Sequence, residues 1–136
     1  MSTVLPVKTP DFLDALHSRV LIGDGAMGTQ LQGFDLDVET DFLGLEGCNE
    51  ILNDTRPDVV AQIHRAYFTA GADLVETNTF GCNLPNLADY NIADRCQELA
   101  YKGTRIARTV ADELGPGRDG MRRFVLGSMG PGTKLP

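Results

Sequence analysis

Short apolar runs alternate with longer stretches of helical periodicity along this chain of 136 residues. Three apolar runs, at residues 20–22, at 74 to about 78 and at 124 to about 127, predict β-strands. These runs are continuously apolar and do not alternate with polar positions. They are therefore typical of parallel strands that are covered on both faces.

Apolar residues at helical spacing predict two long helices between these strands. The first covers residues 57–70, with Thr55 and Asp58 as an expected capping box and Gly71 at its end. The second begins at about residue 94 and stops at the "GPG" of 115–117. The face of the first helix that we expect to be buried carries Val59, Val60, Ile63, Ala66, Tyr67 and Ala70.

The rest of the chain is less regular. A short helix is expected at about 10–17, and the segment 33–56 has no clean period. That segment is long for a connection between a strand and a helix, where about two to six residues are usual. The alternation of strands and helices nevertheless predicts an α/β fold with a parallel sheet.

Each predicted strand runs into a loop rich in small polar residues. These loops are "GDGAMGT" from residue 23, "ETNTFGCN" from residue 76 and "GSMGPGT" from residue 127. In parallel α/β folds, ligands bind beyond the carboxyl ends of the strands. The three loops together therefore predict one binding site at that edge of the sheet.

Asp24, in the first of these loops, has two interpretations. Asp-Gly is a common turn dipeptide, but a carboxylate at the mouth of a site also suits a ligand ammonium group. Gly23, Gly25 and Gly28 match the dinucleotide pattern G-x-G-x-x-G, so a small nucleotide-binding module is an alternative from another class. Against that alternative, the acidic Asp24 would lie beside the phosphate, and the long segment 33–56 follows.

The second loop places four polar residues in a row. Strand alternation predicts that Thr77 and Thr79 point one way and that Glu76 and Asn78 point the other way. Strand propensity alone would explain the threonines. A glutamate and an asparagine at the end of a buried strand, however, need polar partners. In a barrel, one of these two sets faces the interior, where ligands lie.

The cysteines and histidines give little support for a metal site. Cys48, Cys82 and Cys96 are 34 and 14 residues apart and form no C-x-x-C pair. We expect Cys96 to pack on an apolar helix face, although Cys48 and Cys82 lie in loops that could approach one another. His64 is expected at a helix surface or boundary and His17 at a helix end.

Composition narrows the class of protein further. A hydrophobic content of 42% indicates a globular domain, and a net charge of −7 argues against a nucleic-acid partner. The sequence has no signal-peptide pattern and no apolar run near the ~18 residues of a membrane span. We therefore expect a cytoplasmic protein without a membrane partner. Because the last predicted strand ends in a loop with no covering element, we also expect a fragment of a longer protein.

Four segments of the sequence carry a resemblance to a known family. "VLIGDGAMGTQLQ", "GCNEILNDTRPDVVAQIHRAYFTAGADLVETNTFG", "LADYNI" and "GSMGPGTKLP" resemble the start of the homocysteine S-methyltransferase domain, and are most similar to its cobalamin-dependent members. The resemblance covers roughly residues 15–136 and implies a (β/α)₈ TIM barrel. A full barrel needs about 250 residues. Residues 1–136 would then form about three βα units of a homocysteine-binding barrel domain, truncated at the C-terminal end.

The resemblance also implies an activity. Members of this family transfer a methyl group to the sulfur of homocysteine to give methionine. In the cobalamin-dependent branch, methylcobalamin is recharged by methyltetrahydrofolate in separate modules of the full-length protein. A stand-alone methyltransferase that uses another methyl donor, such as a sulfonium compound or betaine, is the alternative within the family.

Substrate contacts carry over from the family to named positions. Asp24 would contact the amino group of homocysteine. The remaining expected contacts are the backbone at Gly25 and Ala26 and the residues Thr77, Asn78, Thr79 and Ser128. The family's zinc ligands, which include an adjacent pair of cysteines, have no counterpart in this sequence. We therefore expect this chain alone to bind neither zinc nor cobalamin and to be inactive.

Overall fold

The structure, a computed structural model, describes residues 11–134 as an α/β arrangement with a two-stranded parallel sheet. Strand β1 (Leu74–Glu76) pairs with β2 (Phe124–Leu126) in the register Leu74 to Phe124. The α-helices within the described residues are α1 (Phe12–Ser18), α2 (Met27–Leu31), α3 (Leu52–Thr55), α4 (Pro57–Ala70), α5 (Leu84–Asp89) and α6 (Cys96–Leu114). Short 3₁₀ turns lie at Asn49–Ile51, Ala93–Arg95 and Arg118–Gly120.

The two long helices are confirmed. Helix α4 ends at Gly71, whose φ of 115° and ψ of 8° place it in the left-handed region that favours glycine. Helix α6 ends at Gly115 and connects β1 to β2 as the crossover of a parallel pair. Both helices pack on the sheet, where Phe68, Val75 and Ala107 belong to one buried cluster.

The start of α4 differs from the prediction. Its N-cap is Arg56, and no side chain caps the helix, so the expected capping box of Thr55 and Asp58 is wrong. The Thr55 hydroxyl donates to the backbone carbonyl of Asp41, while the Asp58 carboxylate pairs with Arg56 at 3.0 Å. The preceding helix α3 ends only one residue earlier, which leaves no free turn in which a capping box could form.

The buried face of α4 also differs from the prediction. Ala66 and Ala70 are exposed, whereas His64 and Phe68 are buried together with Val60, one turn apart along the same stripe. The expectation of a surface or boundary histidine at position 64 is therefore wrong. Helix α6 packs along this stripe and determines which face of α4 is covered.

Residues 20–22 do not form a strand in the structure, so that prediction is wrong. The segment lies beside the start of β1, where the Ile22 carbonyl accepts the Asp73 N–H at 2.7 Å. Val20 is 84% exposed and Ile22 is 51% exposed, so the segment lacks the cover that its apolar pattern predicts. On the side of residues 20–22 that faces away from β1, the described residues contain no strand that could pair with this segment and complete a ladder.

The irregular segment 33–56 folds onto the helices as a set of turns. It ends in the 3₁₀ turn Asn49–Ile51 and helix α3, whose Leu52 packs with Leu31 of α2 and Ile63 of α4. At the amino ends of the strands, Ala15 of α1 packs against Leu74 and Phe124. No helix among residues 11–134 is long and apolar enough to cross a membrane.

Candidate functional site

A cleft of about 440 Å³ opens at the carboxyl ends of β1 and β2. The loop after residues 20–22, the loop after β1, the turn at 49–50 and Ser128 after β2 form its walls. The full lining is Asp24, Gly25, Ala26, Met27, Gly28, Asn49, Glu50, Glu76, Thr77, Asn78, Phe80 and Ser128. All three loops selected from the sequence therefore meet at one site, although the first follows an unpaired segment instead of a strand.

Asp24 is half-buried, and its carboxylate reaches across the cleft to β1. Its Oδ2 atom accepts the backbone N–H of Glu76 at 3.1 Å. Burial raises the pKa of Asp24 to about 6, the Glu76 amide opposes that rise, and the neighbouring Glu76 carboxylate adds to it. A cationic group in the cleft would stabilise the ionised form of Asp24.

Gly25 is required by a close approach of a tyrosine. A Cβ atom at position 25 would lie 2.9 Å from the hydroxyl oxygen of Tyr67 on α4. That hydroxyl donates to the Ala26 carbonyl at 3.0 Å and so fixes the loop to the helix. Sequence reasoning assigned Tyr67 only to the core, because helical periodicity does not show where a tyrosine hydroxyl binds.

The threonines after β1 lie on one side, in agreement with strand alternation. The Oγ1 atoms of Thr77 and Thr79 are 2.6 Å apart. The Thr79 hydroxyl donates to the Ser128 carbonyl at 2.8 Å, and the Ser128 N–H donates to Thr77 Oγ1 at 3.0 Å. Thr77 lines the cleft, whereas Thr79 is buried behind it and does not.

Asn78 points to the opposite side and is held by a buried amide network. Its Nδ2 donates to the Asn49 carbonyl at 2.9 Å and to Asn53 Oδ1 at 3.0 Å. Asn53 in turn donates to the carbonyls of Asn78 and Leu99 at 2.8 and 3.1 Å. Both amide hydrogens of Asn78 are therefore used, and this side chain can offer a ligand only its oxygen.

Glu50 and Phe80 are among the cleft residues that sequence reasoning missed. Glu50 is buried, and its Oε1 accepts the Gly81 N–H at 2.8 Å. Phe80 is 61% exposed and is held by its carbonyl, which accepts the Gly130 N–H at 2.9 Å. Glu50 lies in the segment without periodicity, so no pattern in the sequence indicated that it reaches the cleft.

The charges of the cleft favour a cationic ligand group. Three carboxylate side chains, those of Asp24, Glu50 and Glu76, line it, and the lining contains no lysine or arginine. A phosphate group would meet these carboxylates without a compensating cation. A short helix, α2, does begin at Met27, after Gly23 and Gly25 and with Gly28 in its first turn, as a dinucleotide site requires, but the charge of the cleft disfavours that alternative.

The cysteines and histidines do not form a metal centre. Cys48 is buried and Cys82 and Cys96 are half-buried around one apolar cluster, in agreement with packing of Cys96. Burial raises the pKa of Cys82 to about 12, so its thiol stays protonated. His64 is buried without a hydrogen-bond partner in the described part of the chain, and burial lowers its pKa to about 4. No group of three or more potential ligands within residues 11–134 could hold a metal ion.

Comparison with known proteins identifies similar sequences and folds. The family model described as Homocysteine S-methyltransferase matches residues 21–136. Over 127 residues the chain is 71% identical to the methionine synthase of Mycobacterium tuberculosis, and over 126 residues it is 67% identical to that of Mycobacterium leprae. Each match covers 93% of this chain but only 10% of the relative, so the chain spans about a tenth of the length of these proteins.

Solved structures with a similar fold include two of the homocysteine methyltransferase MmuM from Escherichia coli. The oxidized form matches with a TM-score of 0.70 at 22% identity, over 89% of this chain and 41% of that protein. The metallated form matches with a TM-score of 0.68 at 21% identity, over 86% of this chain and 40% of that protein. At these identities the likeness shows the fold.

Proposed function

Because this chain belongs to the homocysteine S-methyltransferase family, we propose that it supplies part of the homocysteine site of a methionine synthase. The proposed reaction transfers a methyl group to the sulfur of homocysteine and gives methionine. The identity of 71% to a methionine synthase over 93% of the chain is the main support for this activity. The same identity favours a methionine synthase over a stand-alone methyltransferase with another methyl donor.

We propose that residues 1–136 belong to a (β/α)₈ barrel, of which they form about three βα units. The likeness to MmuM supports this proposal, because 89% of the chain matches 41% of that protein. The exposed Val20 and Ile22 also support it, since a further strand of a barrel would cover and pair with that segment.

The observation that carries the binding proposal is that the polar side chains around Asp24 act as acceptors. The Asp24 carboxylate would bind the homocysteine ammonium group in a charge-assisted hydrogen bond. Thr77 and the Asn78 oxygen line the same cleft and are proposed to contact the amino acid. Gly25, Ala26 and Ser128 also line the cleft, and we propose backbone contacts from the first two. These residues bind and orient homocysteine, which is a positioning role.

The cofactors of the proposed reaction would be bound elsewhere in the full-length protein. The described residues do not fit a zinc site, because no group of three potential ligands converges within them. We therefore assign zinc, cobalamin and methyltetrahydrofolate to other parts of that protein. That this chain alone is inactive stays a prediction, as does its cytoplasmic location.

Calorimetry on the full-length protein tests the binding proposal. Asp24→Ala removes the charged acceptor and is expected to weaken homocysteine binding by ~1.5–3 kcal/mol, about 10- to 100-fold, while zinc content stays unchanged. Asp112→Ala is the matched control, since its carboxylate is 65% exposed on α6 and pairs with Arg108 outside the cleft. Unchanged homocysteine affinity in Asp24→Ala would refute the role of Asp24. Micromolar binding of NAD would instead favour the nucleotide-binding alternative.

A further inference from the structure

Thr79 does not line the substrate cleft but is hydrogen-bonded to Thr77, which does. It is buried at the end of β1 and is absent from the lining of the cleft, yet its hydroxyl lies 2.6 Å from that of Thr77. At that separation one hydrogen must lie between the two oxygens, because two facing lone pairs would repel each other. The direction of this hydrogen bond decides what Thr77 can offer a ligand.

The Ser128 backbone determines that direction. Its carbonyl lies 2.8 Å from Thr79 Oγ1, and since a carbonyl can only accept, Thr79 must donate its single hydrogen there. The hydrogen between the two threonines therefore comes from Thr77. The Ser128 N–H occupies one lone pair of Thr77 Oγ1 at 3.0 Å. Thr77 is left with one lone pair and no free hydrogen.

We infer that Thr79 is a positioning residue that makes Thr77 an acceptor-only group in the substrate cleft. Such a group accepts a hydrogen from an ammonium group and has none to donate to an uncharged oxygen. The Asp24 carboxylate and the Asn78 oxygen are also hydrogen-bond acceptors in this cleft. Together with Thr77, they favour a ligand group that donates hydrogens. This inference rests on the proposed function and names how its site selects the amino group of homocysteine.

The packing behind Thr79 keeps this arrangement in place. Gly103 of α6 lies against it, and a Cβ atom at position 103 would be 2.9 Å from Thr79 Cγ2 and 2.6 Å from Asn53 Nδ2. Since glycine permits this close approach, helix α6 holds the Thr79 side chain in the orientation that reaches Ser128.

The test compares two ligands on the full-length protein by calorimetry. One is homocysteine, and the other is the analogue in which a hydroxyl replaces the amino group. Thr79→Val keeps the shape of the side chain but removes the acceptor for the Thr77 hydrogen. The Thr77 hydroxyl can then rotate and donate to the analogue, so we expect the preference for homocysteine to fall by about tenfold. Thr79→Ser keeps the hydroxyl and should retain the preference.

Two further variants separate this role from a general structural one. Thr104→Val is the matched control, because the Thr104 hydroxyl is exposed and donates to the Ala100 carbonyl of its own helix. Thr77→Val should lower the preference as Thr79→Val does, and the double variant should lower it no further than either single variant. A Thr79→Val protein that loses affinity for both ligands in equal proportion would overturn the inference. If the wild-type protein does not bind homocysteine, the proposed function fails first and the inference fails with it.

Discussion

Two carboxylates, one buried and one half-buried, lie at opposite ends of β1 and have opposite electrostatic environments. Asp73, at the amino end, pairs with Arg19 and Arg118 at 2.8 and 2.5 Å and accepts the Ile22 N–H at 2.8 Å. These contacts, the Arg19 hydrogen bond foremost, hold the pKa of Asp73 well below its usual range. Asp24, at the carboxyl end, accepts the Glu76 N–H, and burial raises its pKa to about 6.

The difference separates a structural carboxylate from a functional one. The Asp73 carboxylate is satisfied by its own chain and fastens the segment 20–22 and the turn at Arg118 to the start of the sheet. Asp24 has no arginine or lysine partner among residues 11–134. The negative charge of Asp24 therefore has no positive partner within the described part of the free protein. A cationic ligand would supply that partner and would stabilise the ionised carboxylate.

The largest expected effect comes from removing the carboxylate at the amino end. Asp73→Ala leaves two arginines and the Ile22 N–H without their partner and is expected to lower the free energy of unfolding by about 3 kcal/mol. Urea denaturation of the full-length protein, with hydrogen exchange reporting on peptides that contain β1, measures this loss. Asp112→Ala, on the exposed face of α6, serves as control and should change the value by less than about 0.5 kcal/mol. A similar loss of stability in both variants would contradict the structural role of the Asp73 carboxylate.

A second prediction concerns the pH dependence of ligand binding at the other end of β1. Asp24 must lose its proton near pH 6 before it can pair with an ammonium group. Homocysteine affinity of the full-length protein should therefore rise about tenfold from pH 5 to pH 7 through this residue. Calorimetry on Asp24→Asn isolates that contribution, because thiol ionisation affects both proteins equally. Identical pH profiles for the wild-type and Asp24→Asn proteins would show that Asp24 does not bind the ligand cation.

The smallest expected effect is on stability at the Asp24 site. Its pKa is raised on folding, so the folded state favours the protonated form, and that contribution is lost as the pH rises through about 6. Asp24→Asn should thus raise the free energy of unfolding at pH 8 by about 1 kcal/mol, a value reduced because the carboxylate is only half-buried. At pH 4 the variant should match the wild type. The contribution of Asp73 to the free energy of unfolding has the opposite pH dependence, since it is lost as the pH falls below the usual aspartate range. A gain from Asp24→Asn at pH 4 alone would contradict this assignment.

Predictions from the sequence were correct where one local pattern was enough. Helices α4 and α6 follow from apolar spacing, and Gly71 ends α4 as expected. Strands β1 and β2 were identified but are shorter than predicted, because the chain after each of them turns into the cleft. The burial of His64 could not be read from the same spacing, since the packing of α6 determines which face of α4 is covered.

The candidate site shows a similar division. Asp24, Thr77, Asn78 and Ser128 were predicted, and they line one cleft. Their binding roles remain proposals. Glu50 escaped prediction because the segment that carries it has no period, and Thr79 was expected beside the substrate but lies behind Thr77.

The sequence by itself determined helices α4 and α6, the two paired strands and the polar loops that follow apolar runs, because these depend on residue spacing and on glycine positions. Only the tertiary structure decided which groups in those loops remain available to a ligand. The Ser128 backbone orients the hydrogens of the two threonines, and Asn53 occupies the amide of Asn78. Hydrogen bonds join residues that lie 25 to 51 positions apart, and no local pattern encodes which of two buried polar groups donates.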